Sequence, residues 1–188
     1  GMVLLKNQGG DPNEVHQTYE SAIKIQSCES EIIMSYAIYL QQQNDRNLMK
    51  IKHLYERALS QSPNNPTYLA SYALFLDGDL NDHTAAKDKF EASLKIDPDN
   101  ATTLTSFAAT LMKSKEEREA GRIEELYRHA LEIEPENELT LIAYGQFLQL
   151  FHQDLQGARD RYRKALSINP NNEVAAKLLD KTSFQSHP

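Results

Sequence analysis

The chain has 188 residues, with 20 Lys and Arg against 27 Asp and Glu, a net charge of −7. A hydrophobic share of 40% with 25% charged residues is globular rather than disordered. The acidic balance argues against direct nucleic-acid or membrane binding, no apolar run approaches the ~20 residues of a membrane span, and a lone Cys28 excludes an internal disulfide or a Cys-rich zinc site.

Taken in chain order, residues 1–10 read as disordered, with Gly1 before Met2 as an expression scar. Asp11-Pro12 is a helix start, a cap followed by a proline at the first helical position, and the helix it opens runs over 11–26. Helix pairs are then predicted at 30–43 and 46–61, 66–77 and 82–96, 100–113 and 116–133, and 137–151 and 154–168. Prolines 63, 98, 135 and 170 end the second helix of each pair, since proline lacks an amide donor and clashes with the preceding turn. The Asn or Asp that follows caps the next helix. A last helix at 172–184 is expected to cover the final pair with Val174, Leu178 and Leu179, leaving Lys177, Asp180 and Lys181 to water; 185–188 is a tail.

The pairs are copies of one unit. Small residues Ala22, Ala58, Ser93, Ala130 and Ala165 recur at spacings of 36, 35, 37 and 35. First helices carry Ile33, Tyr36-Ala37, Leu40; Leu69, Tyr72-Ala73, Leu76; Leu104, Phe107-Ala108, Leu111; and Leu141, Tyr144-Gly145, Leu148, offsets of 3, 4 and 7 that mark one helical face. Second helices carry Ile51, Tyr55, Ala58; Ala86, Phe90, Ser93; Ile123, Tyr127, Ala130; and Ala158, Tyr162, Ala165. Two helices approach closely only where one side chain is small, and a ring fills the wider space beside it. A lone unit cannot bury its apolar face, so the units must stack. The boundaries that follow are a partial unit 11–28, then 29–63, 64–98, 99–135 and 136–170, with a capping helix at 171–184.

These residues closely resemble the tetratricopeptide repeat, over roughly residues 11 to 170. Ala86, Phe90, Ser93, Pro98 and Ala158, Tyr162, Ala165, Pro170 follow the family's second-helix pattern. There are departures. The family's usual Trp is Ile33, Leu69, Leu104 and Leu141 here; Ile51 and Ile123 replace a small residue; and the units exceed the family's ~34 residues. The surplus of 2, 1, 3 and 1 falls wholly in the turn inside each unit. The half-a-tetratricopeptide repeat of RNA-processing scaffolds shares the Tyr-Ala-x-x-Leu flavour but generally lacks the closing proline. The resemblance implies an all-α fold, an α/α superhelix: a right-handed solenoid of helix-turn-helix repeats with about ten helices.

It also implies a concave groove lined by first helices. One and five places beyond each leading apolar residue stand Met34 and Ile38, Ala70 and Leu74, Thr105 and Ala109, and Ile142 and Gln146, a stripe without charge. Such a groove suits an apolar helix or peptide of a partner protein. Family members that hold the acidic C-terminus of heat-shock chaperones do so with Lys, Asn and Arg on first helices. Met34, Ile38, Ser71, Thr105 and Ala109 occupy those places, so no carboxylate clamp is expected. The charged stretch 113–119, continued by Arg122, Glu124 and Glu125, reads as a solvated helix start with i,i+4 pairs.

Nothing in the chain spells out catalysis. The six histidines have no metal-ligand spacing with Cys28 or one another, Cys28 has no base in sight, and no phosphate loop or dinucleotide fingerprint is present. The expectation is a non-enzymatic, intracellular and cytoplasmic protein-interaction scaffold without metal or cofactor. A structural or oligomerisation module, with homo-oligomers, and a regulatory repeat domain of a longer protein, including an RNA-processing scaffold, are the alternatives.

Overall fold

The computed structural model describes residues 11–25, 28–43, 45–114 and 119–184. Ten α-helices run through them: α1 (Pro12–Ile23), α2 (Ser30–Gln42), α3 (Leu48–Gln61), α4 (Pro66–Gly78), α5 (His83–Ile96), α6 (Ala101–Ser114), α7 (Ala120–Ile133), α8 (Glu138–Phe151), α9 (Leu155–Ile168) and α10 (Glu173–Phe184). Helix α7 is described from Ala120, and the start expected at 116 lies outside the described residues. The readings of 1–10, of Ser27, of 115–118 and of 185–188 lie outside the described residues.

The caps explain where most helices start. Asp11, Asn47, Asn65, Asp82, Asn100, Asn137, Asp154 and Asn172 each accept from a backbone amide of the first turn, at 2.8–3.1 Å. Each such bond stabilises its helix by about 1 kcal/mol. Helices α2 and α7 follow Glu29 and Glu119 and have no side-chain cap.

The helices pack as antiparallel neighbours, α2 with α3, α4 with α5, α6 with α7 and α8 with α9. First helices α2, α4, α6 and α8 also touch in series, so they form a continuous layer. The small residues sit where the steric argument needs them: Ala37, Ala73, Ala108, Ala58, Ala130 and Ala165 are fully buried. A Cβ on Gly145 would lie 2.5 Å from Cε1 of Tyr162. Helix α10 departs from expectation. It packs through Ala175 and Thr182, both fully buried, while Val174 is 57% exposed. The reason is angular: Ala175, Leu178, Leu179 and Thr182 share one helical face, and Val174 lies about 100° away from it.

Between units the rings stack. Tyr19 meets Tyr36, Tyr55 meets Tyr72, Phe90 meets Phe107 and Tyr127 meets Tyr144, with centroids 4.9, 5.3, 5.4 and 5.8 Å apart. A cation from the following second helix covers each first-helix ring: Lys50 over Tyr36, Lys89 over Tyr72, Arg122 over Phe107 and Arg161 over Tyr144. These cations alternate in position. Lys50 and Arg122 directly precede Ile51 and Ile123, whereas Lys89 and Arg161 directly precede Phe90 and Tyr162, one turn further on. The turns alternate too. In the second and fourth hairpins Asn81 and Gln153 adopt φ of 54° just before the capping Asp, and the Asp amide reaches back to Leu76 O or Leu148 O. Hairpins of one kind therefore recur every second place.

Candidate functional site

The layer of first helices presents one solvent face. Between α4 and α6 it forms a cleft of about 260 Å³, lined by Thr67, Ala70, Ser71 and Leu74 from α4 and by Asn100, Thr102, Thr103 and Ser106 from α6, with Phe90 beneath. The lining is small and uncharged, so a partner's side chains come close to the backbone without desolvating an ion.

The sequence stripe divides by position. Residues one place beyond the leading apolar residue turn towards the next first helix. Thr105 Oγ1 and Thr140 Oγ1 are 2.7 Å apart, Ile142 is buried in a cluster with Leu141, Ala165 and Ala175, and Met34 is buried. Ala70 is half-buried and reaches the cleft. Residues five places beyond stay nearer the solvent: Leu74 is 45% exposed, and Ile38, Ala109 and Gln146 are half-buried. The most open leucines on this face were not in the stripe. Leu139 and Leu150 of α8 are 73% and 69% exposed. They stand two before and nine after Leu141, and an apolar residue outside the 3-4-7 face was the available signal.

Polar groups near the layer are paired. The hydroxyls of Tyr55, Tyr127 and Tyr162 donate to Gln41, Met112 and Gln149 of their own first helices. In the second hairpin the ring is Phe90, which has no hydroxyl, and the corresponding first-helix residue is Asp77. Its buried carboxylate takes His83 Nδ1 at 2.7 Å and Lys113 Nζ at 2.5 Å. Burial pushes the Asp77 carboxyl up, but the bonds from Lys113, His83 and Thr110 outweigh it and hold it below the usual carboxylate range. Of the charged stretch, residues 115–118 lie outside the described residues; among the described ones Lys87 pairs with Glu119 at 3.0 Å and Arg122 with Glu91 at 3.0 Å, both across helices. Cys28 is buried between α1 and α2.

A second cleft, of about 450 Å³, opens on another face of α4 between α3 and α5. Its floor is Leu69, Tyr72 and Leu76, which are core residues, and its rim is Lys52, Glu56, Asp82 and Lys89. Among the described residues no group of three or more His, Cys, Asp or Glu is placed to hold a metal, and no helix is long and apolar enough to cross a membrane.

No family model matches the chain, and neither does any curated protein sequence. Solved structures do match. PilW, a type IV pilus biogenesis factor, superposes with a TM-score of 0.82 at 17% identity, over 98% of this chain and 86% of that one. A tetratricopeptide repeat protein from Parabacteroides merdae gives 0.79 at 13%, over 97% and 70%. The first TPR domain of Spaghetti (RPAP3), bound to the HSP90 peptide SRMEEVD, gives 0.58 at 20%, over 64% and 91%. At these identities the likeness is one of fold: the chain is an all-α, tetratricopeptide-like repeat solenoid.

Proposed function

We propose that the chain is a non-enzymatic, cytoplasmic scaffold whose first-helix layer receives an apolar helix or peptide of a partner protein, without a carboxylate clamp. The observation that carries this reading is the uncharged cleft between α4 and α6 with Leu74 exposed at its edge. A preformed wall of packed helices needs little ordering on binding, so modest contacts yield useful affinity. Tetratricopeptide-like neighbours, one of them holding a peptide, support a protein or peptide as the ligand class.

The clamp is left out because the stripe positions on α2, α4 and α6 hold no cation, and Lys113 at the end of α6 is bound to Asp77. The test is calorimetry with peptides selected from a random display library on the intact chain. Leu74→Glu is expected to weaken them at least tenfold, because a carboxylate is then forced against apolar side chains. The SRMEEVD peptide is expected not to bind. Selected peptides that ignore Leu74→Glu place the binding surface elsewhere.

A further inference from the structure

The joints between successive second-type helices are not built alike. Lys50 of α3 reaches back to Glu20 of α1 at 2.5 Å, and Arg57 of α3 donates to Ile23 O at 3.0 Å. Arg122 of α7 reaches back to Glu91 of α5 at 3.0 Å, and Glu119 at the head of α7 holds Lys87 of α5 at 3.0 Å. Between α3 and α5 no ion pair or side-chain hydrogen bond crosses among the described residues. The acid in register with Glu20 and Glu91 is Glu56. It is engaged by Lys52 of its own helix at 4.0 Å and by the Tyr72 hydroxyl of α4 at 3.1 Å. Lys89 of α5 lies over the Tyr72 ring, 5.9 Å from its centroid, and meets no acid of α3.

Two residues make the difference. The tied helices carry Lys50-Ile51 and Arg122-Ile123, whereas α5 carries Ala85-Ala86 in the same register. A cation long enough to cross the joint and a side chain bulky enough to fill it are both cut back to a methyl. The cleft of about 450 Å³ opens at this place, lined by Ala85 and floored by Leu69, Tyr72 and Leu76. In α9 the register is Gly157-Ala158, but there Asp154 and Leu148 crowd the place of a Cβ on Gly157. Towards the first helices the same joint is well held. Tyr55 stacks on Tyr72 and Phe75 with centroids 5.3 and 5.2 Å apart, and Gln41 of α2 donates to Asp79 at the end of α4 at 2.7 Å. The joint is pinned on its inner side and open on its outer side, which is the geometry of a hinge.

We propose that the solenoid bends at the α3–α5 joint, with residues 11–61 moving as one block against residues 66–133, and that the cleft is the clearance for this motion. Joints in series carry the same load, and the one with the fewest cross-links yields most. Bending that brings α3 and α5 together closes the cleft and spreads α2 from α4, so the curvature of the first-helix layer changes at one defined place. Lys52–Glu56 is a partly exposed pair within one helix and costs little to exchange. Glu56 trades Lys52 for Lys89 as the joint shuts.

Spin labels on the intact chain test this. His53, Asp88 and Glu125 are exposed and share one register on α3, α5 and α7. The double variant His53→Cys, Asp88→Cys therefore spans the untied joint, and Asp88→Cys, Glu125→Cys spans the tied one, each with Cys28→Ser to remove the native thiol. The distance distribution across the untied joint is expected to be about twice as wide as across the tied one. Ala85→Arg sets a guanidinium where Arg122 stands in α7. It is expected to reach Glu56 and narrow the untied distribution to the width of the tied one, and high salt or Glu56→Gln is expected to restore the breadth. Arg122→Ala is expected to widen the tied distribution in turn. Circular dichroism reports whether each variant keeps its helices. Equal widths at the two joints before any charge is changed overturn the proposal, and so does a folded Ala85→Arg protein with an unchanged distribution. If Ala85→Arg does not fold, the comparison of widths and Arg122→Ala decide, and a tied joint that Arg122→Ala leaves equally narrow overturns the proposal.

Discussion

Gly145 stands where the other first helices have Ala37, Ala73 and Ala108. The difference is one methyl, and the cause is Tyr162, whose ring edge occupies the space a Cβ would take. Alanine would gain about 1 kcal/mol of helix propensity there. Overpacking against a fully buried ring costs about 1–3 kcal/mol. Tyr162 has no room to yield, since it is fully buried and its hydroxyl is bonded to Gln149 at 3.3 Å. Gly145→Ala is therefore expected to lose up to about 2 kcal/mol, read as a lower midpoint in thermal unfolding. The need for a small residue here was legible from the repeat, because the steric rule applies to every hairpin. That glycine in particular is required was not, since nothing in the sequence tells how near a ring 17 positions later will come. The hydroxyl partners Gln41, Met112 and Gln149 were equally hidden: they lie outside the apolar pattern, and the pairing depends on which second-helix ring is a tyrosine.

At the scale of elements, helix limits were legible to within a few residues because prolines and capping side chains set them locally. The rhythm of the hairpins was not seen, although the repeat lengths alternate between longer and shorter. An insertion in a turn reads as tolerated slack. In the folded chain the two shorter turns share one geometry, with a left-handed residue ahead of the cap. That conformation costs a side chain about 1 kcal/mol, less for asparagine, which bonds its own backbone. Gln153→Gly is expected to stabilise the protein by about 0.5–1 kcal/mol, and Asn81→Gly by less, in chemical denaturation at constant slope. Equal effects, or a loss at both, would mean the two turns do not carry this strain. The groove was legible only in part for a similar reason. The positions five beyond each leading residue follow from helical geometry alone. Those one beyond depend on how closely successive first helices approach, which no single helix encodes.

Across the whole molecule, the largest fully buried side chains are the tyrosines Tyr36, Tyr55, Tyr127 and Tyr162. Burial pushes the phenol of Tyr36 up to about 12, with Glu20 adding to the shift, and burial pushes Tyr162 up to about 12 as well. Tyr55, Tyr72 and Tyr127 are raised further, mainly by burial. In the unfolded chain these groups ionise near pH ~10, while in the folded chain they hold their protons. Above that pH the folded state binds more protons than the unfolded one, so stability falls as pH rises from about 10 towards 12. Phenolate absorbance is expected to rise together with the loss of helical circular dichroism in this window, in one cooperative step. A smooth titration that leaves the helices intact would contradict the buried ladder. Helices meet chiefly their neighbours and the next first helix in line, while Lys50–Glu20 and Arg122–Glu91 tie alternate second-type helices across the seams. A load along the array is therefore shared among several small seams rather than carried by one interface. Anything bound across successive first helices would restrain every seam it spans at once.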